Sequence, residues 1–158
     1  LNLLTAKPVL IILNSDEESL KNVGEIEGIK ISAKIESELS SLNKEDAVLF
    51  MKEYGILESG LDKIIKYGYE LLGLQSFLTQ GPKEVRAWTI KKGATARESA
   101  GVIHSDFEKA FIAADVVSYE DLVRIGSYVK AKEEGRVRLE GRDYVMKDGD
   151  VVEFRVGV

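Results

Sequence analysis

The run Val9-Leu10-Ile11-Ile12-Leu13, opened by Pro8, does not alternate, and this limits the folds open to the chain. A strand with one wet face alternates apolar and polar residues. An unbroken apolar run reads instead as a strand covered on both faces, as in a parallel sheet flanked by helices. The run stops at Asn14-Ser15-Asp16-Glu17. Strands commonly end where polar loops begin, so this tail alone says little. In open α/β sheets, however, ligands bind at the carboxyl ends of the strands. An amide and two acids at that edge raise the question of a base-reading loop.

The segments that follow fit an α/β unit. Ile29–Ile31 reads as a second short strand, with a weak helical link over Asp16–Val23 between the two. Ile35–Leu42 reads as a helix. Asn43 is suited to cap the next helix, and Asp46 supplies an acidic first turn. Gly55 suits the left-handed residue that ends it. Ser59 then caps a longer helix with apolar residues at Leu61, Ile64, Ile65, Tyr69 and Leu72, which is helical spacing.

Charge marks a boundary near Gly73. Residues 1–73 carry 8 lysines, no arginine and 13 acids; the remainder carries 14 basic and 14 acidic residues, with all seven arginines, the only Trp and the only His. We therefore place one domain at 1–72 and a second at 73–156.

The second part reads as strand Leu74–Thr79, a Gly-Pro turn, strand Val85–Ile90, and a helix opened by Thr95 with Glu98 in a capping-box position. The apolar face of that helix includes Ala96, Ala100, Ile103 and Phe107. A strand over Phe111–Val117 follows, then a short helix capped by Ser118. The end reads as a meander: "RVRLEG" and "RDYV" around a Gly turn, then the Asp-Gly hairpin signal in "KDGD" before the alternating strand Val151–Val156. This order predicts a β-grasp, ubiquitin-like fold, one helix across a mixed sheet. The fold class expected for the whole chain is α/β followed by α+β.

Composition excludes several classes. There is no cysteine, hence no disulfide framework and no Cys-based zinc site. The net charge of −5 argues against a nucleic-acid wrapper acting through bulk charge. No apolar run approaches the roughly 20 residues of a membrane helix, no signal peptide is visible, and a cytoplasmic location is expected. The chain opens on Leu1, without an initiator Met, and reads as a piece of something longer.

The strand-end residues repay closer reading. GTPases of the P-loop class end a buried strand in Asn-Lys-x-Asp. The Asn amide both donates and accepts, so it can pin a purine edge and a neighbouring loop together. The Asp accepts two hydrogens from guanine, and adenine leaves it unpaired. Here Glu17, one methylene longer, stands at the fourth position. Ser15 replaces the Lys whose alkyl stem lies beside the base. Guanine reading should be weakened. The second strand then leads into "ISAKIE", and a Ser-Ala-Lys is where GTPases bring main-chain amides to the base.

With these stretches in view, the chain resembles the C-terminal part of the YchF / Obg-like ATPase family. The resemblance is carried by "LLTAKPVLIILNSDE", "ISAKIESEL", the long stretch from "ESGLDKII" to "HSDFEKAFI", and "RLEGRDYVMKDGDVVEFR", and it covers nearly the whole chain. It implies that residues 1–72 end an Obg-type P-loop nucleotide domain. It implies that residues 73–156 form a TGS domain, the module shared by threonyl-tRNA synthetase, GTPases and SpoT. It further implies an ATP-preferring hydrolase that also takes GTP, with magnesium, in association with ribosomes. The base-contacting residues would be Asn14, Ser15, Glu17, Ser32, Ala33 and Lys34. One departure is large: nothing in the chain matches G-x-x-x-x-G-K-[ST], the loop that cradles phosphates and holds magnesium. The chain alone is therefore expected to carry a base-recognition edge and no hydrolytic activity.

An alternative of another class is an interaction module only, with the TGS domain docking on RNA or protein and no nucleotide bound. Arg86, Trp88, Lys91 and Lys92 are its candidate surface. Arg86 and Trp88 share one face of a strand, and an exposed Trp beside Arg can stack on RNA bases. The competing reading is a Trp packed into the core. His104 has no partner set for a metal or a triad, and a structural place on or just after the helix is expected. Asp106 and Glu108 read as capping and solvated residues.

Overall fold

Local capping chemistry decides where most helices begin. The computed structural model describes residues 3–16, 28–81 and 84–157. Within it the chain divides into two compact units, meeting in sequence at Leu72 and Gly73.

In the first unit, a single 3₁₀ turn at Leu4–Ala6 precedes strand β1 (Ile12–Asn14). Strand β2 (Ile29–Ile31) lies parallel to it, with Asn14 opposite Ile31. Helix α1 (Ala33–Ser41) starts on Ser32, whose hydroxyl accepts the Ile35 N–H. Helix α2 (Lys44–Glu53) starts on Asn43, whose side chain accepts the Asp46 N–H at 2.9 Å. Helix α3 (Gly60–Leu71) starts on Ser59, which accepts the Asp62 N–H at 3.0 Å. Each cap satisfies one of the amide groups that the first helical turn leaves unpaired.

The apolar run is a correction to the sequence reading. Only Ile12–Asn14 is hydrogen-bonded as strand, and the run is not buried: Val9 is 72% exposed and Ile11 51%. The physical reason is the size of the sheet. Among the described residues β1 has one strand neighbour, β2, so its other edge carries no ladder. The helical link read over Asp16–Val23 lies outside the described residues from Glu17 onward.

The second unit is a five-stranded mixed sheet in the order β4-β3-β7-β5-β6, formed by β3 (Leu74–Gln80), β4 (Val85–Lys91), β5 (Phe111–Ser118), β6 (Arg138–Glu140) and β7 (Asp150–Val156). The first and last strands are parallel neighbours, Leu78 opposite Val151, and the other pairings are antiparallel. This is the β-grasp order. Helix α4 (Ala96–Ile103) lies over the sheet, and Phe77, Ile90, Ala100, Ala114, Val116 and Val152 form the core beneath it. A second, smaller cluster gathers Val117, Ala131 and Val151 with α6 (Tyr119–Ile125) and α7 (Tyr128–Glu133). The capping box at α4 is complete: Glu98 accepts the Thr95 N–H at 2.7 Å, and the Thr95 hydroxyl accepts the Glu98 N–H. The Thr95 N–H first, then the Thr95 hydroxyl donating to the same carboxylate at 2.9 Å, hold the Glu98 carboxyl below its usual range.

Two elements depart from the sequence reading. The terminal hairpin does not form: β6 pairs with β5, while β7 enters between β3 and β5. Residues 142–145 make a single bridge to the α4 cap, Val145 to Thr95, instead of a strand. The Asp-Gly turn is real, but it is tied to β3. Asp148 Oδ1 accepts the Ser76 N–H at 2.8 Å, and the Gly149 N–H donates to Ser76 O at 2.8 Å. Gly149 sits at φ +77°, which suits glycine. The turn therefore delivers β7 into the middle of the sheet.

The helix read through to Phe107 breaks at His104, which is extended, and resumes as α5 (Ser105–Lys109). His104 closes α4 and caps α5, its Nδ1 accepting the Asp106 N–H at 3.2 Å. At this corner a Cβ on Gly101 would fall 2.8 Å from Glu108 Oε2 and 3.2 Å from Glu108 Cβ.

A buried acid and a buried phenol lie near the second cluster. Asp115 is matched by a two-pronged bond from Arg155 across β5 and β7, at 2.8 and 2.9 Å. The Tyr128 hydroxyl is buried and, among the described residues, has no hydrogen-bond partner. Burial first, then the charges of Asp115 and Glu153, pushes its phenol up to about 12 from 10.0. An unfolded chain gives up that proton near pH 10 and the folded one does not, so stability is lost as pH rises through this window. Tyr128→Phe is expected to stabilise the unit by roughly 1 kcal/mol at neutral pH, by removing a stranded hydroxyl. It should also flatten the alkaline limb between pH 10 and 12. Urea denaturation across pH 7–11 checks both, and a variant less stable than the parent at pH 7 would contradict the first.

Candidate functional site

The parallel register of β1 and β2 places their carboxyl ends side by side. Asn14 is the last residue of β1, and Ser15 follows it with its N–H donated to Ile31 O at 2.8 Å. Directly after Ile31 come Ser32, Ala33 and Lys34, the cap and first turn of α1. The Ala33 N–H donates to Asn14 Oδ1 at 3.0 Å. So the two strand-end motifs form one edge, and the amide of Asn14 pins the second loop to the first.

Burial orders this edge. Ser32 is buried, Ser15 half-buried, and Asn14, Ala33 and Lys34 exposed. The loop thus has a fixed base and an open rim, and α1 starts there with its Ala33 and Ile35 N–H groups already bonded to Asn14 and Ser32. Glu17 lies outside the described residues.

The side-chain groups at this edge are an amide, hydroxyls and one lysine. That set suits the rim of a planar heterocycle. It does not suit magnesium, which takes carboxylate, phosphate and water oxygens. Among the described residues no cluster of three His, Cys, Asp or Glu side chains stands ready for a metal.

The second candidate surface lies on β4, at an edge of the five-stranded sheet. Trp88 is neither free nor fully enclosed. It packs against the core cluster, its Nε1–H donates to Thr79 Oγ1 at 2.9 Å, and the Arg86 guanidinium lies 4.3 Å over its ring. Arg86, Lys91 and Lys92 are exposed, and the Lys92 N–H donates to Gly73 O at 2.7 Å. Of the two sequence readings of Trp88, the packed one describes most of the ring.

Sequence reasoning missed Glu36. Its carboxylate accepts the N–H groups of Gly60 at 2.7 Å and Leu61 at 3.2 Å, tying α1 to the start of α3. No short-range pattern signals a bond between residues so far apart in the chain.

A parallel strand pair bearing an amide-pinned loop, followed by a β-grasp sheet, defines a two-unit mixed α/β protein. Comparison with known proteins then makes the assignment specific. The YchF-GTPase C-terminal family model, described as a protein of unknown function (DUF933), matches residues 74–157. The chain belongs to the YchF family. The "Ribosome-binding ATPase YchF" of Bacillus subtilis (strain 168) is 50% identical over 173 residues, covering 100% of this chain and 47% of the relative. The protein of the same name from Escherichia coli O157:H7 is 45% identical over 170 residues, again 100% of this chain and 47% of the relative. The solved Schizosaccharomyces pombe YchF GTPase superposes with a TM-score of 0.80 at 34% identity, covering 96% of this chain and 44% of that one. A GTP-binding protein from Pyrococcus horikoshii OT3 shares the fold, with a TM-score of 0.55 at 19% identity over 82% of this chain and 37% of that one. The chain spans about half the length of the curated relatives it matches.

Proposed function

We propose that this chain is the carboxyl-side part of a ribosome-associated, translation-linked ATPase that prefers ATP and also accepts GTP. In this reading residues 1–72 end the nucleotide domain, and residues 73–156 are a TGS module that engages the ribosome or its RNA. The observation that carries it is the Asn14–Ala33 hydrogen bond at the shared carboxyl edge of two parallel strands. With Asn14 Oδ1 engaged, the group left to meet a purine is Nδ2–H₂, a donor suited to a ring nitrogen. The relatives' names support the wider assignment: they are ribosome-binding ATPases.

ATP or GTP would lie with its base against Asn14, Ser15, Ser32, Ala33 and Lys34, with Glu17 as the acid beside the base. The phosphates and magnesium supply the hydrolytic chemistry when bound, and their ligands must come from a phosphate loop that these residues do not contain. What this chain does is bind and orient the base. Arg86, Lys91 and Lys92, with the Arg86-covered ring of Trp88, are the surface we assign to the ribosomal partner. The compartment this reading implies is the cytoplasm. Among the described residues no helix is long and apolar enough to cross a membrane.

The acid at position 17 is the selector in this proposal. Glu17→Asp combined with Ser15→Lys, in a protein of the relatives' full length, is expected to shift preference toward GTP. A well-placed two-point hydrogen-bond pattern discriminates by roughly 1–3 kcal/mol, about 5- to 150-fold. Competition binding of ATP against GTP reads the ratio. An unchanged ratio would remove Glu17 from the selecting role.

A further inference from the structure

We propose that Glu36 is a positioning residue for the base-reading loop, holding that loop in register from the side opposite Asn14. The inference rests on the nucleotide reading above and adds a residue to its site.

In the nucleotide reading the loop Ser32-Ala33-Lys34 lies against the base, so a shift of its backbone moves every group it offers. Its position must be fixed by what holds its two ends. From β1, Asn14 holds Ala33. From the other side, the first turn of α3 grips the residues immediately before and after the loop. Before it, Ile31 lies under Gly60, where a Cβ would fall 2.6 Å from Ile31 Cγ2. After it, the Glu36 carboxylate accepts the Gly60 and Leu61 N–H groups, at 2.7 and 3.2 Å. A Cβ at Gly60 would also fall 2.8 Å from Glu36 Oε1, so the seat admits only glycine without displacement.

Helix α3 does not need Glu36 as its ordinary cap, because Ser59 already serves the Asp62 N–H. The extra carboxylate takes the two N–H groups that Ser59 leaves, and a negative charge is favoured at that helix end. Charge-assisted bonds of this kind are shorter and stronger than neutral ones. The Glu36 N–H donates to Ser32 O at 2.9 Å, so the same residue closes the first turn of α1 and ties it to α3. Displacements of well under an ångström at such a supporting residue are enough to misalign a binding constellation.

The test uses a protein of the relatives' full length and two probes: ADP, which presents a base, and inorganic tripolyphosphate, which does not. By titration calorimetry, Glu36→Ala is expected to weaken ADP roughly tenfold, from the loss of charged acceptors for two N–H groups, and to leave tripolyphosphate unchanged. Glu36→Gln keeps one acceptor and is expected to recover part of the loss. Gly60→Ala, which keeps the carboxylate but crowds its seat, is expected to show the same selective loss and stands in if Glu36→Ala does not fold. Amide exchange at Ala33, Gly60 and Leu61 should quicken in Glu36→Ala. Equal weakening of both probes, unchanged ADP affinity, or unchanged exchange at Ala33 would overturn the inference. An unsubstituted protein that binds tripolyphosphate but shows no added affinity for ADP would overturn the nucleotide-base reading first, and the inference with it.

Discussion

Phe77→Ala is expected to remove about 3–5 kcal/mol from the β-grasp unit. Phe77 is fully buried on β3 and meets Phe154 of β7 edge-on, with ring centroids 5.9 Å apart. Phe154 in turn meets Phe111 of β5 at 6.0 Å, so Phe77 is the β3 end of a row of three rings across the sheet. Removing it leaves a cavity between strands that come from both ends of the unit. The surrounding strands are held by ladders on both sides and cannot collapse into that space, which puts the cost at the upper part of the usual range. Domains have only about 5–15 kcal/mol in hand. The only Trp, Trp88, packs against the same cluster and reports the transition by fluorescence. With a urea slope of roughly 1–3 kcal/mol/M, the midpoint should fall by about 1 M or more. A fall under about 0.3 M would mean that Phe77 is not the centre of the core.

Asn14→Ala, in a protein of the relatives' full length, is expected to weaken ADP binding roughly 10- to 100-fold, about 1.4–2.8 kcal/mol. Two effects add. The Ala33 N–H loses its acceptor, and on the proposed function the base loses the donor that Nδ2–H₂ would supply. Asn14→Asp separates them. The carboxylate still accepts from Ala33 but offers no N–H to a ring nitrogen. It should keep the loop in place, seen as unchanged amide exchange at Ala33, and still bind ADP poorly. An Asn14→Ala protein that binds ADP as tightly as its parent would remove Asn14 from the base edge.

What was legible in the sequence was mostly local. Asn43, Ser59, Thr95 and Ser118 were each read as caps, and each accepts an N–H three residues on. These bonds depend only on short-range geometry, so the residue type and a neighbouring acid suffice to signal them. Asn14 and the Ser32-Ala33-Lys34 stretch could be connected for a similar reason: both follow strand-like segments, and parallel strands present their carboxyl ends on one edge.

The rest depended on distant partners. The hairpin signal in "KDGD" was chemically sound, yet its turn is fastened to Ser76, 72 residues away from Asp148. Nothing near the turn announces that tie, and a hairpin is the default for two consecutive strands. The Glu36 bond to Gly60 spans 24 residues and was invisible for the same reason. At His104 the apolar spacing continues smoothly into Phe107, so periodicity alone reads one helix. The break coincides with the close approach of Glu108 to Gly101 and with a ring nitrogen acting as a cap. The apolar run Val9–Leu13 reports what a strand is suited to contact; its exposure goes with a two-stranded sheet, among the described residues, in a chain about half the length of its relatives.

The most direct test of the account is to titrate ADP into a labelled protein of the relatives' full length and follow two signals, the Asn14 side-chain amide and the Ala33 backbone amide. The account predicts that both shift saturably and together, at a concentration that matches the binding isotherm. Saturable ADP binding with both signals unmoved would contradict it, because the base would then be read elsewhere.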